Sequence, residues 1–187
     1  MLFLRWIHGL ASRHTTRFPA RPDLDVWPTG TPRPQVLREL PAGPLGTSLA
    51  IRHIDVGSCG GPESEIQLLT SPPYDIARFG FAFTPSPRHA DLLLVTGAGS
   101  LTPEMEAVLR ETYEAMPAPR RVVAIGRCDG PGCERARAAE VVARLERIVP
   151  VDVFVPGCPP PPAAILAGLL MAVGRPVPAL AEGGEPR

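Results

Sequence analysis

Lysine and asparagine are absent from this chain, so all 19 of its basic residues are arginine. That pattern fits GC-rich coding and carries no functional signal of its own. Net charge is missing too: 19 basic groups meet 19 acidic ones, which excludes a generic nucleic-acid binder and a large cationic membrane face. Aromatic residues make up only 5%, too few for the stacking platforms that hold single-stranded nucleic acid. Long hydrophobic runs are also lacking. The longest, Ala163 to Gly174, falls well short of the ~20 residues needed to cross a bilayer. At the N-terminus Arg5 and His8 interrupt the apolar stretch, which disfavours a secretory signal. Without an export signal, four cysteines read as thiols or metal ligands before disulfides.

What is present is a core and a great deal of proline. Hydrophobic residues reach 44% of 187, enough for one real domain with a short appendage. The 25 prolines and 18 glycines are about double average usage. Seven of those prolines fall between positions 19 and 45 (19, 22, 28, 32, 34, 41 and 44). Such a segment cannot form a long helix or a central strand, and it reads as an extended arm lying on a neighbour or on the domain. Ahead of it, Leu2, Trp6 and Leu10 share one helical face at spacing four. Two readings stand for this terminus: an interfacial or docking helix, or a frayed end.

From about Ser48 the pattern becomes regular. Ile51–Val56 and Phe79–Thr84 read as strands, and Leu92–Thr96 is a continuous apolar run of the buried, parallel type. A helix start follows, with Thr102 as cap, Pro103 in the first position, and Glu104 and Glu106 at the positive dipole end. Its apolar stripe is Met105, Val108, Leu109, Thr112 and Met116. Arg121–Gly126 reads as another buried strand, then a helix from about Glu134 to Ile148 with Ala136, Ala139, Val142 and Leu145 facing the core. Val151–Val155 is the next strand and Pro162–Val173 a final apolar helix. Alternating strands and helices predict an α/β fold with a parallel sheet.

Three of the four cysteines lie just past strand ends: Cys59 after Val56, Cys128 after Gly126 and Cys158 after Val155. In an open parallel sheet those ends share one edge, where ligands bind. Buried core cysteine is the alternative, but Gly-Ser-Cys-Gly-Gly, Gly-Arg-Cys-Asp-Gly and Pro-Gly-Cys-Pro-Pro are turn contexts. All-thiolate sites suit zinc or iron–sulfur clusters. Structural zinc usually draws cysteine pairs from short knuckles. Ligands spread over about a hundred residues of an α/β scaffold look more like a cluster cradle. Gly97-Ala-Gly99 after a strand hints at phosphate binding, yet the third glycine of the dinucleotide pattern would fall on Thr102. Neither a nucleotide nor a nucleic acid is expected.

Four segments occur in order: Gly57-Ser-Cys59-Gly-Gly-Pro-Glu-Ser-Glu65, Tyr74-Asp-Ile-Ala-Arg-Phe-Gly80, Ser86-Pro-Arg-His-Ala-Asp91 and Arg147-Ile-Val-Pro-Val-Asp-Val-Phe-Val-Pro-Gly-Cys-Pro-Pro160. Together they resemble the small iron–sulfur subunit shared by respiratory complex I and energy-converting nickel–iron hydrogenases, including formate hydrogenlyase. The resemblance implies a flavodoxin-like three-layer domain holding one 4Fe–4S cluster beside a large subunit. That cluster is the last carrier before quinone, or the one next to the nickel–iron site.

Carried onto this chain, Cys59, Cys128 and Cys158 match three ligands. The hydrogenase-type pattern Cys-x-x-Cys-x-x-Glu here reads Cys59-Gly-Gly-Pro62-Glu-Ser-Glu65, so proline stands where the fourth cysteine is expected. Complex I uses adjacent cysteines, which would fall on Gly61 and Pro62; retention of Cys59 points to the hydrogenase-like branch. Cys133 either supplies the missing ligand or is incidental. Glu65 matches the family glutamate and either relays protons or caps a helix. Arg88 and Asp91 resemble a structural turn of the family. The N-terminal residues look like the lead-in of ferredoxin-type subunits of the same complexes, where a short helix rests against the membrane arm.

The expected organisation is a docking helix at 1–20, a Pro-rich arm at 21–47, an iron–sulfur-binding α/β domain at 48–175 and a flexible tail at 176–187. The implied partners are a large hydrogenase-like or quinone-site subunit, a ferredoxin-type subunit and membrane-arm subunits. Such a subunit is peripheral, on the cytoplasmic side of the inner or plasma membrane, and it is not catalytic alone. A scaffold subunit that has lost its cluster is the main rival, and a zinc or thiol-redox protein on the same fold is a third reading.

Overall fold

The computed structural model describes residues 33–40, 46–126 and 138–177. The expected strand–helix alternation is present: β1 (Gln35–Val36), β2 (Leu49–Asp55), α1 (Gly61–Leu68), β3 (Phe81–Phe83), β4 (Leu92–Thr96), α2 (Pro103–Ala115), β5 (Arg121–Ile125), α3 (Ala138–Leu145), β6 (Val153–Val155) and α4 (Pro162–Ala172). Short 3-10 turns precede β3, β4 and α2.

The period-two geometry of strands decides what packs where. Leu92, Leu94, Val123, Ile125, Val153 and Val155 face one side and pack with Ile66 of α1 and Ile165, Leu166 and Leu169 of α4. Leu93, Val95, Val122, Ala124 and Phe154 face the other and meet Leu109 of α2 and Val141 and Leu145 of α3. Both faces are covered, so every residue of β4 and β5 is buried, as their unbroken apolar runs predict. Each fully buried Leu, Ile, Val or Phe contributes about 1.5–3 kcal/mol. The result is three layers around a six-stranded sheet.

The strand order is β1-β6-β5-β4-β2-β3. All neighbours are parallel except β1, which runs antiparallel to β6 with Gln35 opposite Phe154 and Val36 opposite Val153. Counted among themselves, the parallel strands follow 2-1-3-4-5, the flavodoxin order. The order reverses between β2 and β4, and the carboxyl ends at such a reversal are where open α/β sheets place ligands.

The fold departs from the sequence reading in several places. A two-residue edge strand sits inside the Pro-rich segment, where no strand was expected. An edge position tolerates the neighbouring prolines, and the buried Pro34 packs towards Gly168 of α4. Helix α1 was also unexpected, because Gly60-Gly61-Pro62 reads as a turn and the helix buries only Pro62 and Ile66. Val108 is not in the α2 stripe. It lies about 60° from the line through Met105, Leu109, Thr112 and Met116 at 100° per residue, and it is 44% exposed. In α3 the core residues are Val141 and Leu145, while Ala139 is exposed and Val142 half-buried. The docking helix at 1–20, residues 21–32 and 41–45 of the arm, Cys128, Cys133, Ala136, the start of the α3 helix and the tail from 178 lie outside the described residues.

Candidate functional site at the carboxyl edge of the sheet

Two loops that carry a cysteine meet the end of β5 at this edge. Cys59 follows β2 and Cys158 follows β6, and both thiols are free and exposed. Gly126 ends the β5 run two residues before Cys128. A Cβ built on Gly126 would lie 3.6 Å from the Gly157 carbonyl oxygen and 3.7 Å from Pro62 Cγ. One built on Gly61 would lie 3.4 Å from Cys59 Sγ and 3.6 Å from Pro159 Cγ. The chain just after Cys59, just before Cys128 and around Cys158 therefore converges within van der Waals reach. Cys128 and Cys133 themselves lie outside the described residues.

Carboxylates hold the Cys59 loop. Asp55 Oδ1 accepts the N–H groups of Gly57 at 2.9 Å and Ser58 at 2.6 Å, closing the turn beyond β2. Ser58 Oγ accepts Gly60 N–H at 3.0 Å and donates to Glu63 Oε2. Thr96, the last residue of β4, donates its hydroxyl to Glu63 Oε1 and lies 3.1 Å from His53 Nε2. His53 Nε2 is also 3.7 Å from Glu63 Oε1. Burial holds the His53 imidazole below its usual range, against the pull of Glu63 and Asp55 and with a further push from Arg52. Beneath the loop, Gly97 at φ +77° approaches so closely that an added Cβ would lie 2.2 Å from Ser58 N. Gly97 thus serves the close packing of β4 under the Cys59 loop.

His53, Ser58 and Thr96 were not singled out from the sequence. Thr96 did carry a signal: a polar residue ending an otherwise apolar strand is buried (0% exposed) and must find a hydrogen-bond partner. Of the two glutamates, Glu63 is the one in this network, while Glu65 is half-buried two residues further along α1. Asp91 ties strands together by accepting Ala50 N–H at 2.8 Å, and Arg88 is exposed.

Among the described residues, no group of three or more His, Cys, Asp or Glu side chains is gathered to hold a metal ion. Two free, exposed thiols on one glycine-rich edge, with Gly126 of the β5 end beside them, are the donors and the backbone setting that a thiolate-held cluster takes. The fourth place of the Cys-x-x-Cys pattern is filled by Pro62, which is buried and offers no donor atom.

Comparison with known proteins now bears on this edge. Residues 59–172 match the family described as NADH ubiquinone oxidoreductase, 20 Kd subunit. The chain belongs to this family. Within reach of it, the probable membrane-bound hydrogenase subunit mbhJ of Pyrococcus furiosus is 45% identical over 131 residues, covering 70% of this chain and 77% of that protein. Formate hydrogenlyase subunit 7 of Escherichia coli is 42% identical over 127 residues, covering 68% of this chain and 49% of that protein. This member of the 20 Kd subunit family thus spans about half the length of the formate hydrogenlyase relative. Among solved structures, a chain of the membrane-bound sulfane sulfur reductase, an archaeal respiratory membrane complex, aligns with 32% identity and a TM-score of 0.53 over 68% of this chain and 70% of that one. A chain of an NAD+-reducing NiFe-hydrogenase aligns at 21% identity and a TM-score of 0.50, covering 70% and 94%. At that identity the likeness bears on the fold alone. No helix among the described residues is long and apolar enough to cross a membrane.

Proposed function

We propose that this chain is the electron-carrying small subunit of a membrane-associated oxidoreductase complex of the complex I and hydrogenase kind. Cys59, Cys128 and Cys158 would hold one 4Fe–4S cluster, with Cys133 or a non-cysteine group in the fourth position. The observation that supports this most is the meeting of the loops after β2 and β6 with Gly126 at the end of β5, with the Cys59 and Cys158 thiols exposed there. When bound, such a cluster accepts and passes on single electrons. Asp55, Ser58 and Glu63 fix the Cys59 loop, so the thiolate is presented without a large reorganisation. An exposed edge must be covered by the next carrier: a large hydrogenase-like or quinone-site subunit, with ferredoxin-type and membrane-arm subunits beyond. The chain would then sit peripherally at the cytoplasmic side, with residues 1–20 docking it and the arm at 21–47 lying along the 48–175 domain.

A second reading, a scaffold or assembly subunit without a cluster, is favoured by the burial of Pro62 in the expected place of the fourth ligand. Iron and sulfide analysis of the anaerobically isolated complex separates the two. The electron carrier should hold close to four iron and four sulfide per chain, falling sharply in Cys128→Ser or Cys158→Ser. Loss in Cys133→Ser as well would make Cys133 the fourth ligand; retention would leave a three-cysteine site. An isolated complex without iron or sulfide overturns the carrier in favour of the scaffold.

A further inference from the structure

Strand β2 outruns its outer neighbour. Successive residues of a strand turn their N–H and C=O groups to opposite sides. One set in β2 bonds towards β4: Asp91 N–H donates to Ala50 C=O at 2.8 Å, and Val56 N–H to Thr96 C=O at 2.9 Å. The alternate set bonds towards β3: Leu49 N–H donates to Gly80 C=O at 2.7 Å, and Thr84 N–H to Ile51 C=O at 2.9 Å. His53 and Asp55 belong to this second set. Strand β3, however, ends at Phe83, and the chain turns at Pro85, with Ser86 N–H donating to Thr84 Oγ1 at 3.4 Å. Among the described residues, no backbone group pairs with the outward N–H or C=O of His53 or Asp55. Such an open edge invites an added strand.

A cleft of about 420 Å³ stands where β3 would have continued. Phe83, Thr84 and Pro85 line it, with Ile66 of α1 and with Arg52 and His53 of β2. Neighbouring residues of a strand leave opposite faces. Ile51 packs in the layer of α1 and α4 and Ile54 in the layer of α2 and α3, so His53 goes with the first and Arg52 with the second. A cleft that touches both therefore lies against the edge of β2 and not on one face. Of its lining residues only Arg52 carries a permanent charge. Arg52 is half-buried, makes no ion pair among the described residues, and has its Nε buried without a hydrogen-bond partner. A guanidinium so placed calls for a carboxylate.

We infer that an extended segment of a partner subunit, carrying a carboxylate, lies in this cleft as an added strand beside His53–Asp55. Its backbone takes the outward N–H and C=O groups, in the manner of edge-strand addition. An Asp or Glu side chain of the segment pairs with Arg52, and an apolar one covers Phe83, which is 36% exposed. Asp55, at the end of this edge, also holds the Cys59 loop, so the segment continues the surface that the next carrier must cover. The inference rests on the subunit part of the proposed function and stands whether or not a cluster is held.

Amide hydrogen exchange, read residue by residue on the full chain alone and on the isolated complex, tests the added strand. The His53 and Asp55 amides should slow at least about tenfold in the complex. The Val56 amide, bonded to Thr96, should be slow in both and so report a folded β2. Unchanged exchange at 53 and 55 in the complex overturns the inference and leaves the subunit reading standing. Within the complex, p-benzoylphenylalanine placed at position 83 should cross-link to one partner-subunit segment that carries an Asp or Glu. An adduct confined to residues 1–32 or 178–187 of this chain, an adduct with a lipid or small molecule, or no adduct overturns it as well. Arg52→Gln should lower retention of that partner at least about tenfold and reduce its salt dependence; native retention overturns the ionic contact. A chain that isolates without any partner overturns the subunit reading and the inference with it.

Discussion

The two edges of the sheet use the same side chain for opposite ends. At the amino edge, Asp91 and Asp152 each stand one residue before a strand and accept a backbone N–H from the next strand over. Asp91 takes Ala50 N–H and Asp152 takes Val122 N–H, both at 2.8 Å. These carboxylates staple neighbouring strands where the backbone would otherwise have unpaired donors. At the carboxyl edge, Asp55 and Glu63 accept from a loop and from two hydroxyls and leave Cys59 facing outward. One edge consumes its polar groups in closing the sheet; the other arranges them around an opening. Open α/β sheets place ligands at the carboxyl ends, and the flavodoxin-order reversal between β2 and β4 lies at the edge that carries Cys59.

The largest effect should come from breaking the carboxyl edge by its backbone. Gly97→Ala puts a Cβ 2.2 Å from Ser58 N at φ +77° and should cost about 3 kcal/mol. Urea unfolding measures the cost, and faster alkylation of Cys59 should report the displaced loop. Unchanged stability and thiol reactivity would show that the close approach of β4 does not support that loop.

Next comes Asp152→Ala at the amino edge. It leaves the Val122 N–H buried without its partner and should cost about 1–3 kcal/mol. Cys59 alkylation in the folded protein should not change, because this carboxylate serves the other edge. A changed alkylation rate would erase the distinction between the edges.

The two edges should also differ in the sign of their pH dependence. Burial raises the Asp152 carboxyl above its ordinary range, against the Val122 hydrogen bond and the attraction of Arg121 and Arg38. The native state then holds a proton that the unfolded state releases, so this group's contribution falls as pH rises from about 4 through the folded value. For His53 the shift is downward, so the unfolded state binds the proton first. Stability from this group therefore increases with pH up to about 6.5 and is lost on acidification. Asp152→Asn should remove the falling limb and His53→Gln the rising one, as read from unfolding midpoints against pH. The reverse assignment would sink both charge accounts.

Smallest is Arg110→Ala, which removes an exposed i,i+4 pair with Glu106 at 3.1 Å on α2. Belonging to neither edge, it should change stability by no more than about 0.5 kcal/mol. A larger loss in urea unfolding would mean that the α2 surface contributes more than the polar groups at either edge of the sheet.

The sequence by itself determined the parts written in local periodicity and composition. The unbroken runs Leu92–Thr96 and Arg121–Ile125 could only be covered on both faces, and they are. The Thr102–Pro103 start of α2 was legible because a cap and a fixed φ act within one turn; Thr102 accepts from Met105 N–H. That thiols follow strand ends was legible for the same reason, since strand ends are local. Tertiary structure decided what depends on distant partners. Strand order set which loops became neighbours, and so brought Gly126, Gly157 and Pro62 together. The His53–Thr96 and Thr96–Glu63 contacts join residues 43 and 33 positions apart, a separation at which no periodic pattern survives. Strand β1 and helix α1 were hidden because each is short and buries little, and both exist through contacts with β6 and the sheet more than through their own propensities. Hydrophobic pattern specifies which face is covered. Only the closed sheet specifies what stands beside what.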